Sequence, residues 1–139
     1  MRMGYRIILR NLGIQKTNNM SPNKQTVQDY MDGFRATDHD KILGCLTDDV
    51  VWVMPGAYHH EGKDAFDNEI ENPNFKGKPL IKVFRMTEEN DVVIAEGAVT
   101  CSFINGDVLD AVFCDVFEMR DTKIQKLTSY LMQIAINKP

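Results

Sequence analysis

No run of apolar residues in this sequence approaches the ~20 that cross a bilayer, so a membrane partner is not expected. Positive charge is not in excess either: Asp and Glu outnumber Lys and Arg by 20 to 16, leaving a net charge of −4. Without a global positive field, nucleic acid is not an expected partner. Cysteine is scarce and odd in number. Cys45, Cys101 and Cys114 lie in apolar surroundings with no CxxC pair among them, and they read as buried free thiols of a reducing, cytoplasmic compartment. A structural zinc wants four ligands at short spacing. Only His39, His59 and His60 accompany those scattered thiols, so no metal is expected. Cofactor fingerprints are missing too, since there is no GxGxxG, no Walker A and no lysine in a recognisable Schiff-base context.

What is present suffices for one core. A chain of 139 residues, 43% of them hydrophobic, buries one sizeable interior and is short for two. Residues 1–19 carry Arg2, Arg6, Arg10 and Lys16 around the short run Ile7-Ile8-Leu9. That run is shorter than a signal peptide's roughly 7–15 apolar residues, and no small-residue cleavage site follows it. It is expected to be a non-core extension, or sequence upstream of a start at Met20, with the domain spanning 20–139.

From Pro22, Val27, Tyr30, Met31 and Phe34 recur at helical spacing among polar residues, with Ser21 as N-cap and Pro22 in the first turn. After a break at Thr37 to Asp40, Ile42, Leu43 and Leu46 predict a shorter second helix capped by Asp38. Val50-Val51-Trp52-Val53-Met54 then changes the period to two and reads as a strand ended by Pro55-Gly56. A loop from Ala57 to Gly62 and a third helix over Lys63 to Ile70 follow. Four strand-like runs complete the chain: Leu80 to Met86, Val92 to Ile104, Val108 to Arg120 and Ile124 to Ile136. Turn signals separate them, and Asn105-Gly106 suits a tight primed turn. The expected fold is α+β, with three helices packed on a strongly curved, antiparallel-rich mixed sheet.

The order of elements, with Leu46-Thr47-Asp48-Asp49-Val50-Val51-Trp52-Val53-Met54-Pro55-Gly56, Gly62-Lys63-Asp64-Ala65-Phe66 and Asp115-Val116-Phe117-Glu118-Met119-Arg120-Asp121-Thr122-Lys123-Ile124, resembles the SnoaL-like branch of the nuclear transport factor 2-like superfamily. The resemblance runs from about Asn23 to the C-terminus. It implies the cone-shaped, cystatin-like fold of that superfamily, which hosts ketosteroid isomerases, epoxide hydrolases, polyketide cyclases and dehydratases; the fold fixes no activity. In the ketosteroid isomerases a helix-one Tyr and a strand Asp form an oxyanion hole, and a base Asp precedes a Pro. Tyr30 and Asp115 match the first two positions. Met54 stands directly before Pro55, where a thioether cannot take a proton from carbon.

Asp115 shares a strand face with Phe113 and Phe117, a costly place for a carboxylate unless it is bonded or protonated. It is either a pocket acid with a raised pKa or an outer-face residue, solvated or bonded across a dimer interface. Tyr30 is either a core aromatic or a hydrogen-bond donor to ligand. Trp52 and Met54 share a face and are expected as pocket walls, with Phe34, Phe113 and Phe117. Alternation counted from Gly106 turns Thr100 and Ser102 into the cavity and Val99, Cys101 and Phe103 outward. His59 and His60 fall in the loop after the first strand, as solvated residues, a mouth acid/base at His60, or metal ligands. Glu96 is internal or exposed on equal terms. Two functions stay open: an isomerase, cyclase or hydrolase acting by acid-base chemistry on a small apolar molecule, with Asp115 and Tyr30 as its working groups, or a non-catalytic ligand-binding or dimerisation module. An outward apolar stripe, with Val112, Cys114 and Val116 from the next strand, predicts a homodimer.

Overall fold

The computed structural model describes residues 20–137, so the expected N-terminal extension lies outside the described residues. The Ser21 side chain accepts from Lys24 N, and helix α1 runs from Pro22 to Ala36. It stops where Thr37 turns left-handed and returns its N–H to Gly33 and Phe34. The Asp38 side chain caps α2, His39–Leu43, by accepting from Lys41 N. Strand β1 is Leu46–Met54, β2 is Tyr58–Glu61, and α3 is Lys63–Ile70. Strands β3 (Phe75–Glu89), β4 (Val92–Phe103), β5 (Val108–Arg120) and β6 (Lys123–Asn137) follow.

The six strands form one sheet in the order β2-β1-β6-β5-β4-β3. Among the described residues only β1 and β6 pair in parallel, which makes the sheet mixed as expected. Asn90-Asp91 and Asp121-Thr122 close their hairpins as two-residue turns with both φ values positive, the conformation that matches strand twist. Asn105-Gly106 does not make the tight turn its sequence suggests. The Asn105 side chain accepts from Asp107 N at 2.9 Å, only Gly106 of that pair has positive φ, and the connection widens to Ile104–Asp107. The predicted loop from Ala57 to Gly62 is also corrected. Ala57 N bonds back to Met54 O, and the chain returns as β2, with His60 opposite Trp52.

Helix α1 lies across the sheet and is fixed to it near both ends. At its start Ser21 donates to Glu88, and Asn23 Nδ2 donates to Glu88 Oε2 at 2.9 Å and Asp91 Oδ1 at 3.2 Å. Near its end Arg35 Nε donates to Ile81 O at 3.0 Å. Between these anchors Val27, Tyr30 and Met31 bury against Phe117, Val93 and Leu127 to form the core. No helix among the described residues is long and apolar enough to cross a membrane.

The direction of β4 overturns one expectation. Val93, Ala95 and Gly97 are buried toward the helices, so alternation carries Val99 and Cys101 inward and turns Thr100 and Ser102 out. Thr100 Oγ1 instead donates to Asp110 Oδ1 on the outer face, at 3.0 Å. Counting from Gly106 failed because Ser102 pairs with Val108, whereas a two-residue turn at Asn105-Gly106 would have paired Phe103 with Val108, and this shift of one residue reverses which side chains of β4 face inward. Phe103 packs on Phe75, which lines the cavity, at 4.8 Å between ring centroids.

At Gly97 the backbone comes close to its neighbours: a Cβ there would collide with the Lys82 carbonyl oxygen and lie 2.6 Å from Phe113 Cζ. Gly97→Ala is therefore expected to lower stability by about 1–3 kcal/mol or more, read as a fall in the urea midpoint. An unchanged midpoint would contradict this close approach.

Candidate active site

Between α1, α3 and the inner face of the sheet lies a cavity of about 660 Å³. Its walls are mostly apolar, with few polar groups, as small-molecule sites generally are. Helix α1 supplies Tyr30 and Phe34, β1 supplies Trp52 and Met54, and β5 supplies Phe113 and Asp115. The structure thus brings six of the sequence-predicted residues to one space. Four others stand elsewhere. Thr100 and Ser102 face out, as described. Phe117 is fully buried beneath Tyr30, ring centroids 5.3 Å apart, and belongs to the core. His60 lies on β2 beside the cavity, stacked on Tyr58 at 4.5 Å, with Nε2 on Glu69 Oε1 at 2.7 Å. His59 is exposed and pairs with Glu61. Glu96 is on the outer side, bonded to Arg85.

Asp115 is the carboxyl within this apolar enclosure. Burial penalises its charged form and raises its pKa to about 7, against a smaller opposing effect from the hydrogen bond of Ser129. Ser129 stands directly across from Asp115 in the β5–β6 ladder. Its oxygen accepts from Trp52 Nε1 at 3.0 Å, which leaves its own O–H to donate to the carboxyl. The indole is itself stacked on Phe66, centroids 4.4 Å apart, and meets Tyr58 edge-on at 5.3 Å. Packing thus fixes the indole, the indole fixes the hydroxyl, and the hydroxyl orients the carboxyl.

Two phenols share the space. Tyr30 is pushed well above the ordinary tyrosine range by burial, then by the charge of Asp115 and by Tyr58. Tyr58 is raised by burial, then by Glu69 and Asp115. Both therefore stay protonated and can donate, and both sense the Asp115 charge. Among the described residues, neither hydroxyl has a side-chain or backbone partner, which leaves them available to a bound oxygen.

Sequence reasoning missed Ser129 and Tyr58. Ser129 is the polar member of an inward series, Leu127-Ser129-Leu131, the same kind of signal that singles out Asp115. Tyr58 was hidden inside the segment read as loop. The free thiols are spread out: Cys45 is buried in the core, Cys101 lines the cavity, and Cys114 lines a groove on the outer face. Among the described residues no three of His, Cys, Asp and Glu are grouped to hold a metal ion.

The SnoaL-like domain family matches residues 27–127. An NTF2-like protein of unknown function from Burkholderia pseudomallei has a TM-score of 0.76 at 20% identity, covering 81% of this chain and 92% of that one. An LEH-like epoxide hydrolase from M. tuberculosis gives 0.72 at 18% identity, covering 82% and 85%. TerC, crystallised with polyporic acid, gives 0.71 at 24% identity, covering 78% and 90%. At these identities the likeness is one of fold. No curated protein matches the sequence.

The pKa of Asp115 has a measurable consequence for stability. A carboxyl whose folded pKa lies above its unfolded value of 3.8 stabilises the fold while protonated in both states, and that contribution is lost as pH rises through the folded pKa. Between about pH 4 and pH 7 the chain should lose roughly 3–4 kcal/mol that Asp115→Asn does not lose. Urea titrations of both proteins across this range test it, and parallel curves would contradict it. Ser129→Ala should raise the Asp115 pKa further, followed by carboxyl infrared absorption.

Proposed function

We propose that this chain, which belongs to the SnoaL-like domain family, binds a small, largely apolar carbonyl compound in its cavity and moves a proton at the carbon beside that carbonyl. Asp115 carries the proposal: a carboxyl in an apolar cavity, with its pKa raised to about 7, is close to evenly poised to take or give a proton at neutral pH. As the carboxylate it takes the proton from carbon. Tyr30 donates to the carbonyl oxygen as negative charge develops there, and Tyr58 is the second available donor. Trp52, Met54, Phe34 and Phe113 hold the apolar body. The role differs from the ketosteroid isomerase pattern, in which the matching Asp belongs to the oxyanion hole and a separate base precedes the Pro.

Met54, standing before Pro55, favours a second reading. Without a carboxylate at that position the cavity has the donors of an oxyanion site but no partner base, and the domain binds an oxygen-bearing ligand without turning it over.

A homodimer is the partner proposed for the outer face of the sheet. Phe84, Tyr130 and Met132 are more than half exposed there, and Val112 and Cys114 line the groove between them. Val99 and Cys101 face the cavity and drop out of the expected contact, whereas Val112 and Cys114 remain.

Proton exchange tests the chemistry without knowledge of the natural substrate. In D2O the protein should speed deuterium uptake beside the carbonyl of 4-phenylcyclohexanone. The rate should rise through about pH 7, and Asp115→Asn should remove a factor of ~10²–10⁴. Calorimetric binding without exchange supports the second reading instead. Under either reading 4-phenylphenol should bind more tightly than the ketone, and Asp115→Leu should weaken its binding by roughly 1–3 kcal/mol. Light scattering at micromolar concentration should give about twice the 15.9 kDa chain mass, with Met132→Asp shifting it toward one. A clean monomer in the unmodified protein overturns the dimer.

A further inference from the structure

The mouth of the cavity carries charge as well as apolar wall. Glu69 and Glu71, at the end of α3, and Lys76 and Lys78, at the start of β3, all line it. The two acids are engaged. Glu69 Oε1 meets His60 Nε2 at 2.7 Å, and Glu71 Oε2 meets His39 Nε2 at 2.6 Å, with Asp67 on the other nitrogen of His39 at 2.5 Å. The hydrogen bonds to Asp67 and Glu71 raise the His39 pKa and so favour its cationic form. Among the described residues no carboxylate lies within ion-pair distance of Lys76 or Lys78. Lys76 and Lys78 are therefore, among the described residues lining the mouth, the charged groups without an ion-pair partner, in a chain whose net charge is −4.

The backbone explains why the lysines stand there. Lys76 pairs with Ser102 and Leu80 with Thr100, so Gly77, Lys78 and Pro79 together face the single residue Cys101. The surplus bulges out of the ladder. Gly77 takes φ +71, which L side chains resist, and Pro79 has no N–H to give to a neighbouring strand. Cys101 lines the cavity beside this bulge, which makes the Lys-Gly-Lys-Pro segment one lip of the mouth.

We propose that the cavity selects an amphipathic organic acid, its apolar body inside the cavity and its carboxylate paired with Lys76 and Lys78 at the lip. The opposite, oxygen-bearing end of the molecule rests on the reading of Asp115 and Tyr30 given above; the lip itself does not.

Calorimetry with two matched probes at low salt and neutral pH tests this. In the unmodified protein 4′-hydroxybiphenyl-4-carboxylate should bind about fivefold more tightly than 4-phenylphenol, the size expected of two exposed ion pairs. The preference should shrink at high salt. In the Lys76→Gln/Lys78→Gln double variant it should fall to about one, with the affinity for 4-phenylphenol unchanged; both side chains are exposed, so folding is not at stake. Equal affinities in the unmodified protein, or a preference that survives in the double variant, overturn the proposal while leaving the Asp115 reading intact. A lysine-dependent preference that Asp115→Leu leaves untouched, with no loss of 4-phenylphenol binding in that variant, supports the lip and removes the Asp115 reading.

Discussion

One extra residue in the last strand sets the relation between core and cavity. The Asp121-Thr122 turn pairs Arg120 with Lys123 and Met119 with Ile124, but the next pair joins Glu118 to Lys126. Gln125 is left over as a bulge, and every later residue of β6 changes face. Ile124 and Leu127 can then both enter the core, and Ser129 comes opposite Asp115. Without the bulge Thr128 would take that place, and Ser129 would turn to the outer face. The hydrogen-bonded line from Trp52 to Asp115 therefore depends on a local irregularity three residues into the strand, bounded on both sides by regular pairing.

The same enclosure controls charge at two depths. Deep in the cavity a low dielectric makes a lone carboxylate costly, and Asp115 responds by holding its proton more tightly, while Tyr30 and Tyr58 hold theirs. At the mouth, water is at hand and acids can ionise, yet those of α3 are tied to His39 and His60. These pairs also fasten α3 to α2 and β2, so the helix that borders the opening is held from two sides. The rim is thus polar, with the acids of α3 paired, and the interior apolar with a few polar groups.

The fold was legible because its signals were local and mutually consistent: Ser21 and Asp38 as caps, Val27, Tyr30 and Met31 as a helical stripe, and β-branched runs separated by turns. Asp115 was legible as an anomaly, an acid in line with Phe113 and Phe117, and it does line the cavity. What failed was parity carried across irregular backbone. Thr100 and Ser102 were counted from Asn105-Gly106, where an Asn side chain captured the backbone and widened the connection. Ser129 was displaced from the expected register by Gln125. Tyr58 went unseen because four residues after Pro55-Gly56 are too few to display a period, although they suffice to pair with β1. The Lys-Gly-Lys-Pro lip has no periodicity at all; it is visible only once β3 and β4 are laid side by side.

The parallel pairing of β1 with β6 bears on how the site comes into being during synthesis. Strands β3 to β5 are joined to their neighbours by short connections, and each can pair as soon as the next emerges. Strand β1 leaves the ribosome early with only the small β2 as a partner, and Trp52 must wait for Ser129, 77 residues later. Until then Trp52 has no hydroxyl to bond and Asp115 has no donor opposite it. A nascent chain stopped before Ser129 can hold much of the meander but not the hydrogen-bonded line from Trp52 to Asp115, so the polar side of the cavity is completed only once β6 has been made.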